Sequence, residues 1–282
     1  LYVEDVDEQE YKTEVYLLVW CCASSHPVIR AHAKRKLCRI LCNHSNLFEA
    51  LISDFHSVKD TYVLEGLYNA VYGALLLMRD VELSKAVSLL IYDYHFKNKQ
   101  PVEDVRVREW LLKILLFTKT LKGGIDLFSK SLPPYIPQEE IAHDTIEIGD
   151  DYFGCTEGSK KLRFSLCGFS DFHRYILGFN SNNESQIYTL MPHGQNERPS
   201  MLPLVLLQSM VAQKIKTLGW SDQLGELDNG VYSLGRYDNQ YERIGKKYQW
   251  KALFAIEAQL MDHFAVVDRW HNWANGNKRI LR

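Results

Sequence analysis

An acidic stretch in the middle of the chain has residue types that could do hydrolytic chemistry. Asp150, Asp151 and Glu157 are followed by Lys160, and a magnesium-dependent nuclease uses clustered carboxylates with a nearby lysine. If this stretch alternated as a strand, Lys160 would lie on the face opposite Glu157, because the two are three positions apart. We therefore favour a solvated acidic loop, and a metal-dependent nuclease or other hydrolase is the alternative.

A second set of side chains could bind zinc, because it combines thiols with imidazoles. Its members are Cys155, Cys167, His173 and His193. Their spacing matches none of the paired patterns that zinc sites use, so we expect reduced thiols and no metal. The sequence also lacks the glycine-rich motifs that cradle nucleotide phosphates. It therefore predicts neither a cofactor nor an enzyme in this segment.

A third set is a basic and aromatic region near the carboxyl-terminal end. Residues 236–282 contain nine basic and five acidic side chains. Arginines interleaved with tyrosines are typical anchors for an acidic protein surface, and they can also follow a phosphate backbone. The predicted ligand- or partner-binding residues are Trp220, Arg236, Tyr237, Tyr241, Arg243, Lys246 and Lys247. Two alternatives remain: a hydrated basic helix, or a clamp in which Arg243, Gln249 and Trp250 hold the last helix to its neighbours.

The overall composition restricts the class of protein. The 282 residues are 46% hydrophobic and 24% charged, which is typical of a globular protein. The formal net charge of −2 lacks the basic excess of a dedicated nucleic-acid binder, so we do not expect a nucleic-acid partner. No uncharged apolar run is long enough to cross a bilayer, so we expect no membrane association. We predict a cytoplasmic location, and the start at Leu1 suggests a piece of a longer polypeptide.

The elements that position these residues begin with a series of helices over residues 8–132. Three helix starts share a spacing, in which an oxygen-bearing residue precedes a valine by three positions; they are Ser25–Val28, Asp60–Val63 and Asp104–Val107. One further helix fits in each gap, at about 47–57 and 81–95, which gives the period of a helix-pair solenoid. The run from Ser25 to Leu37 resembles a HEAT-type repeat. We predict HEAT-like helical repeats over 1–132, with a compact irregular bundle as the alternative.

The helical pattern stops at Pro133-Pro134, because two successive prolines cannot continue a helix. Residues 133–200 show period-2 stretches between glycines, and we predict a small β-containing segment with strands near 146–148, 162–167, 174–179 and 186–191. Residues 201–282 form a predicted C-terminal helical subdomain. In it, one helix is closed by Gly219, a loop spans 220–241 and a long helix spans 243–266. The predicted fold class is mainly α: a HEAT-like helix-pair solenoid, a small β-containing insertion and this subdomain.

One run near the carboxyl-terminal end carries a family resemblance. It reads Tyr237-Asp238-x-x-Tyr241-Glu242-Arg243-Ile244-Gly245-Lys246-Lys247-Tyr248-Gln249-Trp250-x-Ala252-Leu253. This run resembles a segment of very large bacterial ATP-binding proteins of the antiviral STAND NTPase (Avs-like) type. Two shorter stretches are similar to the same proteins: Asp60-x-Tyr62-Val63-Leu64-Glu65-x-Leu67-Tyr68-x-x-x-Tyr72-Gly73 and Ser170-Asp171-Phe172-x-Arg174-Tyr175.

The resemblance implies a function. Such proteins join an N-terminal effector, often a nuclease, to a central P-loop ATPase that uses ATP and magnesium and to a C-terminal helical-repeat sensor. The sensor binds a viral (phage) protein, such as a terminase or portal, and the complex assembles into an active homo-oligomer. Because this chain has no P-loop, the resemblance implies that it is part of the sensor. A scaffold solenoid that binds a host protein is a further alternative.

Overall fold

The computed structural model describes residues 8–141, 144–178, 184–192, 200–230, 241–267 and 280–281. The chain divides into two compact units, Leu1–Leu132 and Pro133–Arg282. The fold is mainly α with a small β-containing part, as the sequence predicts. Among the helices of the described residues, none is both long and apolar enough to cross a membrane.

Over residues 8–132, the first unit contains six α-helices. They are α1 (Glu8–Cys21), α2 (Pro27–Asn43), α3 (Leu47–Phe55), α4 (Thr61–Met78), α5 (Val81–Ile91) and α6 (Val105–Thr120). A π-helical turn, Tyr92–Phe96, extends α5, and a 3-10 turn, Ser129–Ser131, follows α6. Helix α4 packs between α2 and α6, while α3 packs on α5, and α1 packs on α2. Successive helix pairs therefore shield each other's apolar faces.

The starts of α4 and α6 are fixed by the aspartates that the spacing indicates. Asp60 Oδ1 accepts the Tyr62 backbone N–H at 3.1 Å, and Asp104 Oδ1 accepts that of Arg106 at 2.9 Å. Each carboxylate thus satisfies N–H groups that have no partner inside the helix. Helix α2 differs from the expectation, because His26 rather than Ser25 is the cap: its Nδ1 accepts the Val28 N–H at 3.2 Å.

In its described residues, the second unit combines four α-helices with a small sheet. The helices are α7 (Glu157–Cys167), α8 (Leu204–Thr217), α9 (Asp222–Gly230) and α10 (Ile244–His263), with a π-helical turn at Phe172–Ile176. The strands are β1 (Glu184–Pro192), β2 (Ser200–Pro203), β3 (Phe264–Val267) and β4 (Ile280–Leu281). They form an antiparallel sheet in the order β2-β1-β3-β4. The apolar core of the unit lies among α7, α8 and α10.

Three of the four predicted strands of the second unit are wrong. Residues 162–167 belong to α7, because Thr156 caps its start and the fully buried Leu162 and Leu166 are one helical turn apart. Residues 174–176 belong to the π-helical turn, while Phe179 lies outside the described residues. Residues 146–148 form no strand, since the Ile146 N–H donates to Ser209 Oγ of α8 rather than to a strand. The strand at 186–191 is confirmed within β1.

The later helices follow the predicted pattern with two differences. Helix α8 is followed by Gly219, whose φ of +94° suits a glycine. The predicted loop at 220–241 contains helix α9. Helix α10 ends at His263, so Phe264 begins β3 instead of lying on the helix.

Candidate functional site

Five of the seven predicted partner-binding residues lie in the described part of the chain: Trp220, Tyr241, Arg243, Lys246 and Lys247. Arg236 and Tyr237 fall outside the described residues. Trp220 is only 5% exposed, and its indole N–H donates to the Phe153 carbonyl oxygen at 3.1 Å and to Ser159 Oγ at 3.2 Å. The ring and the polar atom of Trp220 are therefore both engaged in the core, which disfavours the predicted role of Trp220 as a ligand anchor.

Arg243 also has a partner inside the unit. Its Nη1 lies 3.5 Å from Oδ2 of Asp228, a fully buried carboxylate on α9. The other oxygen, Oδ1, accepts the Gly245 backbone N–H at 3.1 Å. Arg243 is the N-cap of α10, but its own side chain makes no capping hydrogen bond. Asp228 thus supplies from α9 the acceptor and the negative charge that stabilise the start of α10.

The rest of the long motif is also built into the core. A Cβ added at Gly245 would lie 3.0 Å from Asp228 Oδ2 and 3.4 Å from Trp220, so a larger residue would crowd the contact between α9 and α10. Gln249 is buried and its Oε1 accepts the Ser165 hydroxyl at 3.1 Å. The Trp250 ring stacks on Phe254. These contacts support the clamp that the sequence left as an alternative.

Three predicted residues remain at the surface or partly so. Tyr241 and Lys246 are exposed, and Lys247 is half-buried. The predicted region therefore contains both residues with a structural role, such as Arg243, and residues that are exposed, such as Tyr241 and Lys246. Arg243 is itself partly exposed, so a partner could reach it together with these three residues.

A different surface carries the side chains typical of a protein-binding site. Arg174 lies over two aromatic rings, with its Cζ 4.5 Å from the Phe169 centroid and 5.3 Å from the Tyr175 centroid. Phe169 is 70% exposed and Tyr175 is 63% exposed. Phe164 of α7 is 57% exposed, and its ring lies against Gly168, the residue before Phe169. We name these four residues the aromatic–arginine patch.

The patch is held by the turn between α7 and the π-helical turn. Ser170 Oγ donates to the Ser165 carbonyl oxygen at 2.6 Å and accepts the His173 backbone N–H at 3.2 Å. Phe172 points inward, is 7% exposed and meets the edge of the Trp250 ring. The turn is therefore held by the Ser170 hydrogen bonds and by the buried Phe172, while Arg174 and Tyr175 face outward. Cation–π contacts also restrict the arginine, which reduces the entropy lost on binding.

Sequence reasoning missed this patch because the region was predicted to be strand. An alternating strand would have placed Arg174 and Tyr175 on opposite faces. The available signal was the run 170–175 itself, which carries part of the family resemblance. Within this run, Phe172 packs in the core, and Arg174 and Tyr175 are exposed at the surface.

The residues of the nuclease alternative do not converge. Asp150 pairs with Arg163 at 3.0 Å, and Glu157 lies 3.8 Å from Lys160 on the same helix. Of the zinc candidates, Cys155 is exposed, burial raises the pKa of the Cys167 thiol, and His193 lies outside the described residues. Throughout the described ranges, no three His, Cys, Asp or Glu side chains come together to hold a metal.

One buried polar pair of the first unit belongs to no predicted site. The Tyr68 hydroxyl oxygen lies 2.6 Å from Nε2 of His95, which sits in the π-helical turn after α5. Burial lowers the pKa of His95 to about 4, with a smaller contribution from His56, and it raises the pKa of Tyr68. Both side chains are therefore neutral at pH 7, and each satisfies the other inside an apolar core.

Comparison of the chain with protein-family models, curated proteins and solved structures finds no match.

Proposed function

We propose that this chain is a non-catalytic sensor region of a larger bacterial antiviral STAND NTPase. In this proposal the chain binds a phage protein, such as a terminase or portal, by shape, and binding triggers oligomerisation of the parent protein. The three resembling runs support the family, and the stacked helix pairs support a broad recognition surface.

The observation that carries the proposal is Arg174 placed over two exposed aromatic rings within a run that resembles those proteins. Arginine, tyrosine and other aromatic residues dominate the binding energy of protein interfaces. An exposed aromatic group also leaves apolar area in water that a partner would cover. The aromatic–arginine patch therefore replaces Trp220 and Arg243 as the proposed contact.

The test measures binding of the 282-residue chain to purified phage large terminase and portal proteins by biolayer interferometry. We expect saturable binding to one of them. The variant Phe169→Ala/Arg174→Ala/Tyr175→Ala should weaken that binding by at least about 100-fold, because three anchors are lost together. Its thermal stability should be close to that of the wild type, since all three side chains are exposed.

Two exposed apolar residues of the same unit provide a matched control. Ile136→Ala/Leu227→Ala removes comparable exposed apolar surface outside the patch and should leave the affinity within about two-fold. Unchanged affinity of the triple variant would remove the patch from the interface. The absence of binding to both phage proteins would contradict the sensor proposal itself.

Separate measurements address the alternatives. A titration of divalent metal with plasmid DNA as substrate tests the nuclease; cleavage that is lost in Asp150→Asn/Asp151→Asn/Glu157→Gln would overturn the proposal. Capture experiments from infected and uninfected cells test the scaffold. A partner of host origin, bound equally in both and lost in the triple variant, would favour the scaffold.

A further inference from the structure

A groove of about 800 Å³ runs between α1 and α2 in the first unit. Its apolar lining includes Leu18 of α1 and Val28, Ile29 and Ile40 of α2. Val28 is 54% exposed and Ile29 is 45% exposed, whereas Ala33, Leu37 and Leu41 of the same helix are buried. Exposed branched apolar side chains in a concave site indicate a surface that binds another apolar group.

The groove lies on the side of α2 that faces away from α4. Arg30, Lys34 and Cys38 of α2 face α4, where they meet the Tyr62 ring, the Glu65 carboxylate and Gly73 respectively. The groove residues Ile29, Lys36 and Ile40 lie on the remaining part of the helix circumference. Helices α4 and α1 both pack on α2, and the groove lies on the part of α2 that α4 leaves uncovered.

The charged residues at the edge of the groove restrict the kind of partner that can bind in it. Among the described residues that line the groove, Arg35, Lys36 and Arg39 are basic and Glu14, which pairs with Lys36, is acidic. Arg35 and Arg39 are one helical turn apart and exposed, so both present positive charge along the same edge. The groove therefore has an apolar floor and a basic edge.

We propose that this groove binds an amphipathic helix of a separate partner protein. The apolar stripe of that helix would contact Leu18, Ile29 and Ile40, and acidic residues on one flank of the stripe would face Arg35 and Arg39. A helix in an apolar groove is a common recognition mode, with anchors at positions i, i+3, i+4 and i+7. Complementary charge along the edge fixes the orientation and excludes basic helices. This inference concerns the first unit and does not depend on the proposed function.

The experiment uses the 282-residue chain and two synthetic helical peptides of about 18 residues, or five turns. Both carry the same leucine stripe; one has glutamates along one flank and the other has lysines at those positions. Fluorescence anisotropy at low salt should show saturable binding of the glutamate peptide at least about ten-fold tighter than that of the lysine peptide. The difference should shrink at high salt, because the flank charges are exposed.

Variants locate the binding. Ile29→Glu should abolish binding of the glutamate peptide, and Arg35→Glu/Arg39→Glu should reverse the preference between the two peptides. The matched control Lys59→Glu/Lys122→Glu makes the same charge change at exposed positions outside the groove and should preserve the preference. Circular dichroism of each variant checks the fold.

Three results of the peptide experiments would overturn the inference. They are equal affinity for the two peptides, no saturable binding of the glutamate peptide, and a control variant that changes the preference as much as the groove variant does. Self-association of the chain that Ile29→Glu abolishes, measured by light scattering, would assign the groove to a second copy and would also overturn it.

Discussion

Asp228 on α9 holds the start of α10 by accepting the backbone N–H of Gly245 at 3.1 Å. The carboxylate is fully buried, and its second oxygen faces the Arg243 guanidinium. A helix start leaves N–H groups without partners, and here the acceptor comes from another helix rather than from the capping residue. The Asp228 side chain of α9 thus contacts Arg243 and Gly245, two residues of the run that carries the family resemblance.

Asp228→Ala should destabilise the second unit by about 3 kcal/mol, because it removes a buried acceptor and leaves the Gly245 N–H without its partner. Asp228→Asn retains an oxygen for that N–H and should cost about 1 kcal/mol. The urea midpoint and hydrogen exchange of the first-turn amides of α10 measure both effects. Equal protection of those amides in Asp228→Ala and the wild type would show that Asp228 is not the cap.

Gly245→Ala should destabilise the unit by about 1–3 kcal/mol, because the added methyl group would overpack the space between α9 and α10. The nearest atom to the new Cβ, Asp228 Oδ2 at 3.0 Å, belongs to the capping carboxylate, which would have to shift by a few tenths of an ångström to make room. Gly149→Ala is the matched control, since its Cβ would meet only Asp151 Oδ1 at an ordinary 3.5 Å. Thermal unfolding should separate the two variants by several degrees.

His95 should make the stability of the first unit depend on pH. Its pKa is lowered to about 4 in the folded chain but is about 6.5 when unfolded. Between these values the unfolded state binds more protons, so stability falls as the pH falls from about 6.5 to 4. The loss should be on the order of 3 kcal/mol by pH 4. Urea unfolding at several pH values measures it.

The control for this prediction is His95→Gln, which keeps a polar partner for the Tyr68 hydroxyl but does not titrate. Asp104, whose pKa burial raises, acts in the opposite direction at the acidic end of the range. The difference between His95→Gln and the wild type isolates the histidine from this effect. A pH dependence that is identical in both proteins would contradict the assignment.

The helices of the first unit could be predicted because their local signals agree. Asp60 and Asp104 cap the helices that they precede in the sequence, and the apolar stripes lie where packing requires them. The strand prediction for residues 162–167 is wrong because the short alternation of Leu162, Phe164 and Leu166 fits either a strand or a helix. Phe164 has the residue type of a core position but is exposed. Capping by Thr156 and packing against α9 stabilise α7 as a helix, and sequence periodicity contains no information on either contact.

The candidate site could be predicted only in part, because exposure depends on partners distant in sequence. Trp220 has the residue type of an interface anchor, but its burial is decided by Phe153 and Ser159, more than 60 positions earlier. Arg174 and Phe169 are close in sequence, yet their contact depends on the turn that Ser170 fixes. Composition identified anchor residue types, and tertiary packing determined which of them face solvent.

A comparison of Arg243 with Lys246 tests which residues of the predicted region stabilise the fold and which are only exposed. Arg243→Ala should lower the free energy of unfolding by about 1–2 kcal/mol, because it leaves the buried Asp228 carboxylate without its guanidinium partner; the effect is limited because Arg243 is itself partly exposed. Lys246→Ala removes a charge of the same sign from an exposed position and should change stability by less than about 0.5 kcal/mol. Both variants should bind the phage protein as the wild type does once they are folded, since the proposed contact is the aromatic–arginine patch. If Arg243→Ala weakened binding without lowering stability, the interface would lie at the start of α10, as the sequence alone predicts.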